Sequence, residues 1–201
     1  MKKSNVIKVM AIAASALFLT GCPMDFDFTQ PPHQTTAAHK LADIDDTVFP
    51  DPKFREYVLT NIDQDKDGIL SEKEAYDVTD IDVSYQGIAD LKGIAYFRNL
   101  RELNCVGNYL RELDPSVFPE LKSLTCNYNP LTELDVSGNT YLQTLRTADT
   151  LLTHLDVSML QQLTELVVDN EVLATGAERE YIKVIRSTRR STHPEWETDS
   201  R

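Results

Sequence analysis

Leucine recurs along the second half of the chain with a fixed period. Leu100, Leu121, Leu142 and Leu163 stand 21 residues apart, and Leu103, Leu124, Leu145 and Leu166 keep the same spacing. The sixth position of the unit holds Cys105, Cys126, Thr147 and Val168, and the ninth holds Asn108, Asn129, Thr150 and Glu171. Leu110, Leu131, Leu152 and Leu173 follow at the eleventh, and Leu113, Leu134 and Leu155 complete three of the units. An earlier unit of 22 residues starts at Val78 and runs through Ile81, Val83, Ile88 and Leu91. A unit this short makes one strand and one return arc, and cannot bury its leucines alone. Stacked neighbours make the core continuous. The asparagines are placed to bond backbone groups at the bend after each strand, and Thr150 and Glu171 depart from that ladder. Regularity should therefore fall towards the carboxyl end.

The pattern changes before the repeat. Asp51-Pro52 places an N-cap before a proline at the first helical position. Phe54, Val58 and Ile62 then recur every fourth residue, which predicts an amphipathic helix of three turns. It runs into Asp63-Gln64-Asp65-Lys66-Asp67-Gly68-Ile69-Leu70-Ser71-Glu72-Lys73-Glu74, with carboxylates at loop positions 1, 3, 5 and 12. Gly68 occupies the sharp turn, where a left-handed backbone costs glycine little. Only a short exit helix, Ser71 to Tyr76, fits before Val78, Ile81 and Val83 turn extended.

This loop resembles the EF-hand family at each of its diagnostic positions. The resemblance implies a bound Ca2+ ion. Asp63, Asp65 and Asp67 would each give one carboxylate oxygen, Glu74 two, and Ile69 its backbone carbonyl, with Ser71 holding a water. EF-hands usually pair, and no second loop occurs in the sequence. The repeat in turn resembles the leucine-rich repeat. Its Leu134-Asp135-Val136-Ser137 and Leu155-Asp156-Val157-Ser158 segments are similar to short repeats of surface proteins of Bacteroidetes and some Firmicutes, and internalin-like repeats are more distant. Together these imply an α+β repeat fold: a short leucine-rich-repeat solenoid of parallel strands, capped at its amino end by a single helix–loop–helix hand. Leu70 and the entering helix are expected to cover the first strand, around Val78 to Val83. After Gly176, Tyr181, Ile182, Val184 and Ile185 are expected to cover the last repeat, as a strand or a helix.

The amino terminus reads as an address. Lys2, Lys3 and Lys8 precede an apolar run from Val9 to Leu19, too short for a stable membrane span and suited to a signal peptide. It ends in Leu19-Thr20-Gly21-Cys22, which resembles the bacterial lipobox. The resemblance implies cleavage before Cys22 and acylation of that residue, and several acyl chains on one residue make a lasting anchor. Pro23 after the cysteine lacks the acidic inner-membrane retention signal, so an outer-membrane address in the cell envelope is expected, on its periplasmic or surface face. Residues 22–47, short of large aliphatics, read as a lipidated flexible tether. The expected organisation is 1–21 signal peptide, 22–47 tether, 48–77 hand, 78–175 repeats, and 176–201 carboxyl cap and polar tail.

Charge narrows the function. The 201 residues carry Lys plus Arg 20 against Asp plus Glu 32, a net charge of -12. Removing the signal takes away three lysines and no acid, so the mature chain is more negative still. A nucleic-acid partner needs a basic face, which this composition denies. No nucleophile elbow, phosphate-binding glycine loop or cysteine–histidine zinc spacing is present, and no catalytic residue is assigned. Cys105 and Cys126 fall at equivalent inward positions of neighbouring units. Parallel side chains suit a disulfide poorly, and free buried thiols are expected. The outward strand positions are the expected binding face: Glu102 and Asn104, then Ser123, Thr125 and Asn127, then Thr144 and Arg146, then Glu165 and Asp169. A lipid-anchored binding module with a protein or glycan partner follows. A purely structural envelope lipoprotein, and an enzyme with a carboxylate site, are the other classes this composition leaves open.

Overall fold

The computed structural model describes residues 39–188. The signal segment, Cys22, His33, most of the tether, His193 and Trp196 lie outside the described residues. In chain order the elements are β1 (Lys40–Asp43), α1 (Pro52–Asn61), β2 (Ile69–Ser71), α2 (Glu72–Asp77), β3 (Asp80–Asp82), β4 (Glu102–Asn104), β5 (Ser123–Thr125), β6 (Thr144–Arg146), β7 (His154–Asp156), β8 (Glu165–Asp169), β9 (Leu173–Thr175) and β10 (Lys183–Ser187). Short 3-10 turns, Ile94–Tyr96 and Pro115–Val117, lie in the first two return arcs.

The repeat period becomes a sheet in the order β10-β8-β6-β5-β4-β3, parallel throughout. Its register follows the sequence spacing: Ile81, Leu103, Leu124, Leu145, Leu166 and Val184 align in one inward row. The leucines of that row are buried, and truncating one to alanine costs about 2–5 kcal/mol. A second sheet pairs β7 with β9 in parallel on the return side. The leucine-rich-repeat solenoid read from the sequence is the fold observed.

The asparagine ladder forms where the sequence keeps it. Asn108 donates to the Val83 and Cys105 carbonyls at 2.8 and 3.0 Å and accepts from Ile88 N–H at 2.9 Å. Asn129 repeats the set on Cys105, Cys126 and Leu110. Thr150 keeps one rung, its hydroxyl donating to the Thr147 carbonyl at 2.9 Å, and Glu171 is exposed. The residues before Asn108, Asn129 and Thr150, and before Gln86 at the equivalent place in the first unit, are left-handed: Tyr85, Gly107, Tyr128 and Asp149 have φ of 56, 68, 57 and 55°. Gly107 is confined further, because a Cβ there would meet the Tyr85 ring at 2.3 Å.

One boundary differs from expectation, and one open alternative is decided. The tether, read as 22–47, ends earlier, since Lys40–Asp43 forms β1 and pairs antiparallel with β2 of the loop. Strand pairing supplies the backbone bonds that the local composition did not announce, and Ala42 and Ile44 are buried beside it. The carboxyl segment resolves as a strand. β10 extends the main sheet with Lys183 opposite Glu165 and Ile185 opposite Val167. Ile182 is buried and Val184 half-buried, whereas Tyr181 and Ile185 are exposed.

Candidate functional site

Two regions bring chemistry-bearing side chains together: the loop at residues 63–74 and the outward face of the main sheet. The loop is positioned by α1. Asp51 caps that helix, accepting from Lys53 and Phe54 N–H at 2.9 and 3.1 Å. Its other oxygen accepts from Ala89 and Asp90 N–H at 2.8 and 3.3 Å, so one carboxylate ties the helix to the first repeat. Phe54, Val58, Ile62 and Leu70 enter the same buried cluster as Ile81 and Val83. Leu70 and the entering helix thus belong to the continuous core that also holds the first strand. Sequence reasoning missed the largest piece of it. Phe49 is fully buried and packs its ring on Phe54, Tyr96 and Phe97 at centroid distances of 5.8, 6.3 and 6.5 Å.

Within the loop, one carboxylate oxygen from each of Asp63, Asp65 and Asp67 lies within 4.8 Å of the others. Asp63 is buried and closes the turn, accepting from Lys66 and Gly68 N–H at 2.8 and 3.0 Å. Glu74 folds back across the loop and accepts from Gln64 N–H at 2.7 Å and Ser71 N–H at 2.9 Å. Ser71 is the N-cap of α2 and exchanges bonds with Glu74 in a capping box. Burial works to raise Glu74, and the Ser71 and Gln64 bonds outweigh it, holding its carboxyl below the usual range. Asp65 is pushed the other way, by loss of water and then by the charges of Asp67, Glu74 and Asp63. A cation at the triad would relieve that repulsion, so the donor set fits a hard divalent ion. The backbone of Ile69 lies in β2, opposite Asp43 of β1.

On the sheet face, Asp80, Glu102, Ser123, Thr144, Glu165 and Lys183 align in one outward row. Asp82, Asn104, Thr125, Arg146, Val167 and Ile185 form the next. Glu102 is exposed, and Asn104, Ser123, Thr125, Asn127 and Thr144 are half-buried. Arg146 donates to Glu165 at 2.6 Å, and Lys183 approaches the same carboxylate at 4.0 Å. Acidic groups thus sit at the β3 end of the face and cations at the β10 end. Two expectations change. Asn127 is partly committed, its side-chain oxygen accepting from Ala148 N–H at 2.8 Å. Asp169 is not on the open face at all. It is fully buried, and its carboxylate accepts from Asp149 and Thr150 N–H at 2.9 and 3.3 Å. Strand alternation pointed it outward, but its carboxylate takes the Asp149 N–H, whose equivalents at Gly107 and Tyr128 bond the Asn127 and Ala148 carbonyls of the next turn.

Cys105 and Cys126 are free, buried and stacked in adjacent turns. The Cys105 thiol donates to the Thr125 carbonyl at 3.5 Å and the Cys126 thiol to the Arg146 carbonyl at 3.5 Å. The Thr147 hydroxyl continues the column to the Val167 carbonyl at 3.4 Å. Burial pushes the Cys126 thiol up to about 12 and Cys105 well above its ordinary value.

No protein-family model matches the chain, and neither does any curated protein. Solved structures do match. The functional domain of InlJ from Listeria monocytogenes, which includes a cysteine ladder, is similar with a TM-score of 0.52 and 29% sequence identity. The match covers 67% of this chain and 34% of that one. An internalin, inlF, from the same organism is similar with a TM-score of 0.55 and 26% identity, over 66% of this chain and 39% of that one. The chain thus spans well under half the length of either structure. The described residues form a leucine-rich-repeat solenoid with an internalin-like fold.

Proposed function

We propose that this protein is a lipid-anchored, calcium-binding interaction module of a bacterial cell envelope, in which calcium stabilises the amino end of a leucine-rich solenoid. The observation that carries the reading is the placement of the loop. Its carboxylate triad sits directly on the element whose Leu70 and α1 share a core with β3. Asp63, Asp65, Asp67, the Ile69 carbonyl and Glu74 would hold the ion, with Ser71 orienting Glu74. β1 occupies the edge of β2 that a second hand would take in a paired arrangement. The address rests on the lipobox ending at Cys22, with the outer membrane as its destination. The repeat face, around Thr144, Arg146 and Glu165, is the surface offered to a protein or glycan. Its few aromatics make it a modest hot spot.

Calcium affinity in the range of extracellular modules, roughly 10⁻⁴–10⁻³ M, is expected. Thermal melts of the mature chain with calcium and with chelator test this. A gain in Tm that disappears in Asp63→Ala and Glu74→Ala supports it, and equal melting in both conditions overturns it. Retention of a partner from envelope extracts, weakened by Arg146→Glu and by Glu165→Arg, tests the face. Radiolabelled palmitate incorporation lost in Cys22→Ser tests the anchor.

A further inference from the structure

The return side of the coil, away from the main sheet, carries a groove of about 1030 Å³ that the proposed function does not use. It crosses four successive turns, from Asp90–Ala95 through 111–117 and 132–135 to His154. Its floor is apolar. Leu91, Ile94 and Leu134 reach it from the core, Leu113 and Val117 are half-buried, and Ala95 is exposed. Its rim is acidic. Asp90, Glu112 and Glu133 hold one register and Asp114 and Asp135 the next, all exposed, against Lys92 and Arg111.

We propose that this groove is a docking site for a basic amphipathic helix of a partner protein, its aliphatic face on the floor and its lysines or arginines on the carboxylate rim. Three observations select that occupant. First, the charge of the rim is complementary to a cationic ligand and repels the acidic body of this chain. Second, the rim does not converge on a metal. Among the described residues, the only group of three or more such side chains with ligand atoms within 4.8 Å of one another is Asp63, Asp65 and Asp67. The rim carboxylates are instead spread over successive turns, one on the first and two on each of the next two, so several cations along one ligand answer them better than a single ion. Third, the spacing matches a helix. Stacked parallel strands rise about 4.8 Å per turn, and helix positions three or four apart stand about 5–6 Å apart. An extended peptide repeats one face only every 6.4–6.8 Å or so, and falls out of step. The rim is also built to stay charged. The backbone and hydroxyl of Ser137 bond Asp135 and hold its carboxyl below the usual range. This site is independent of the sheet face and of calcium, so it survives if the reading above fails.

The test uses the full mature chain and a fluorescein-labelled 14-residue amphipathic peptide of leucine and lysine, followed by anisotropy in chelator. Saturable binding is expected, weakened at least tenfold in Glu112→Gln/Glu133→Gln and in Ala95→Lys. Neither change touches a buried side chain, and circular dichroism checks the fold of each. Glu56→Gln, exposed on α1 and outside the groove, should bind unchanged. A peptide with the same lysines but serine for leucine should bind at least tenfold more weakly. Absence of binding, binding indifferent to the groove variants, or equal binding of the serine peptide overturns the proposal. So does sedimentation showing that a second copy of the chain already covers the groove.

Discussion

The two ends of the solenoid are closed by different chemistry. At the amino end, α1 and Phe49 bury a large apolar surface on the first turn, and the adjoining loop crowds Asp63, Asp65 and Asp67 together. At the carboxyl end, side chains answer backbone groups directly. Asp169 accepts the Asp149 and Thr150 N–H groups, Arg179 donates to the Val157 and Leu160 carbonyls at 2.8 and 3.1 Å, and Arg186 donates to Asp169 and Val172 carbonyls at 3.1 and 2.8 Å. The first closure gathers like charge, and under the proposed function it is the end that responds to calcium. The second is built from hydrogen bonds that the chain itself supplies. A repeat protein transmits stability mainly between neighbouring turns, so the ends should respond separately.

The largest expected effect breaks the amino closure. Phe49→Ala should cost about 3–5 kcal/mol in urea denaturation, and should shrink the calcium response because the loop loses its support. A mutant that keeps the full calcium response would show that loop and core are uncoupled. Next, Asp169→Ala strips a charged acceptor from two buried N–H groups and should cost about 2–3 kcal/mol. Its calcium-induced gain in Tm should equal that of the unmodified chain, which sharpens the separation of the ends. Asp51→Ala removes the cap of α1 and its bond to Ala89, and should cost about 1–2 kcal/mol. The smallest effect lies between the ends. The Cys126 thiol is raised to about 12, so the stability of its neutral form is whole below its ordinary value of 9.0. That contribution fades as pH climbs through this window. Cys126→Ser should flatten the decline in denaturant midpoint between about pH 9 and 11, and Thr147 shows that a hydroxyl fits this column.

The parts legible in the sequence are those with local or periodic signals. The 21-residue spacing of Leu103, Leu124 and Leu145 dictates strand register, because each leucine must fall in the same inward row. The spacing of Asp63, Asp65 and Asp67 brings their carboxylates together because the turn at Gly68 is short. What was not legible depends on contacts between distant segments. Nothing within Lys40–Asp43 names β2 as its partner, and Phe49 acts through rings up to Phe97. Asp169 obeys strand alternation in sequence and turns inward to the Asp149 and Thr150 N–H groups, some twenty residues earlier in the chain. The groove exists only once four return arcs are stacked.

Hydrogen exchange on the mature chain, with calcium and with chelator, tests the central claim most directly. Calcium is expected to slow exchange in 63–74, in β1 and β2, and in the first turn at Ile81 and Val83, while leaving β8 and β10 unchanged. Protection that is equal in both conditions, or that rises evenly along the whole solenoid, would contradict a calcium-dependent closure of the amino end.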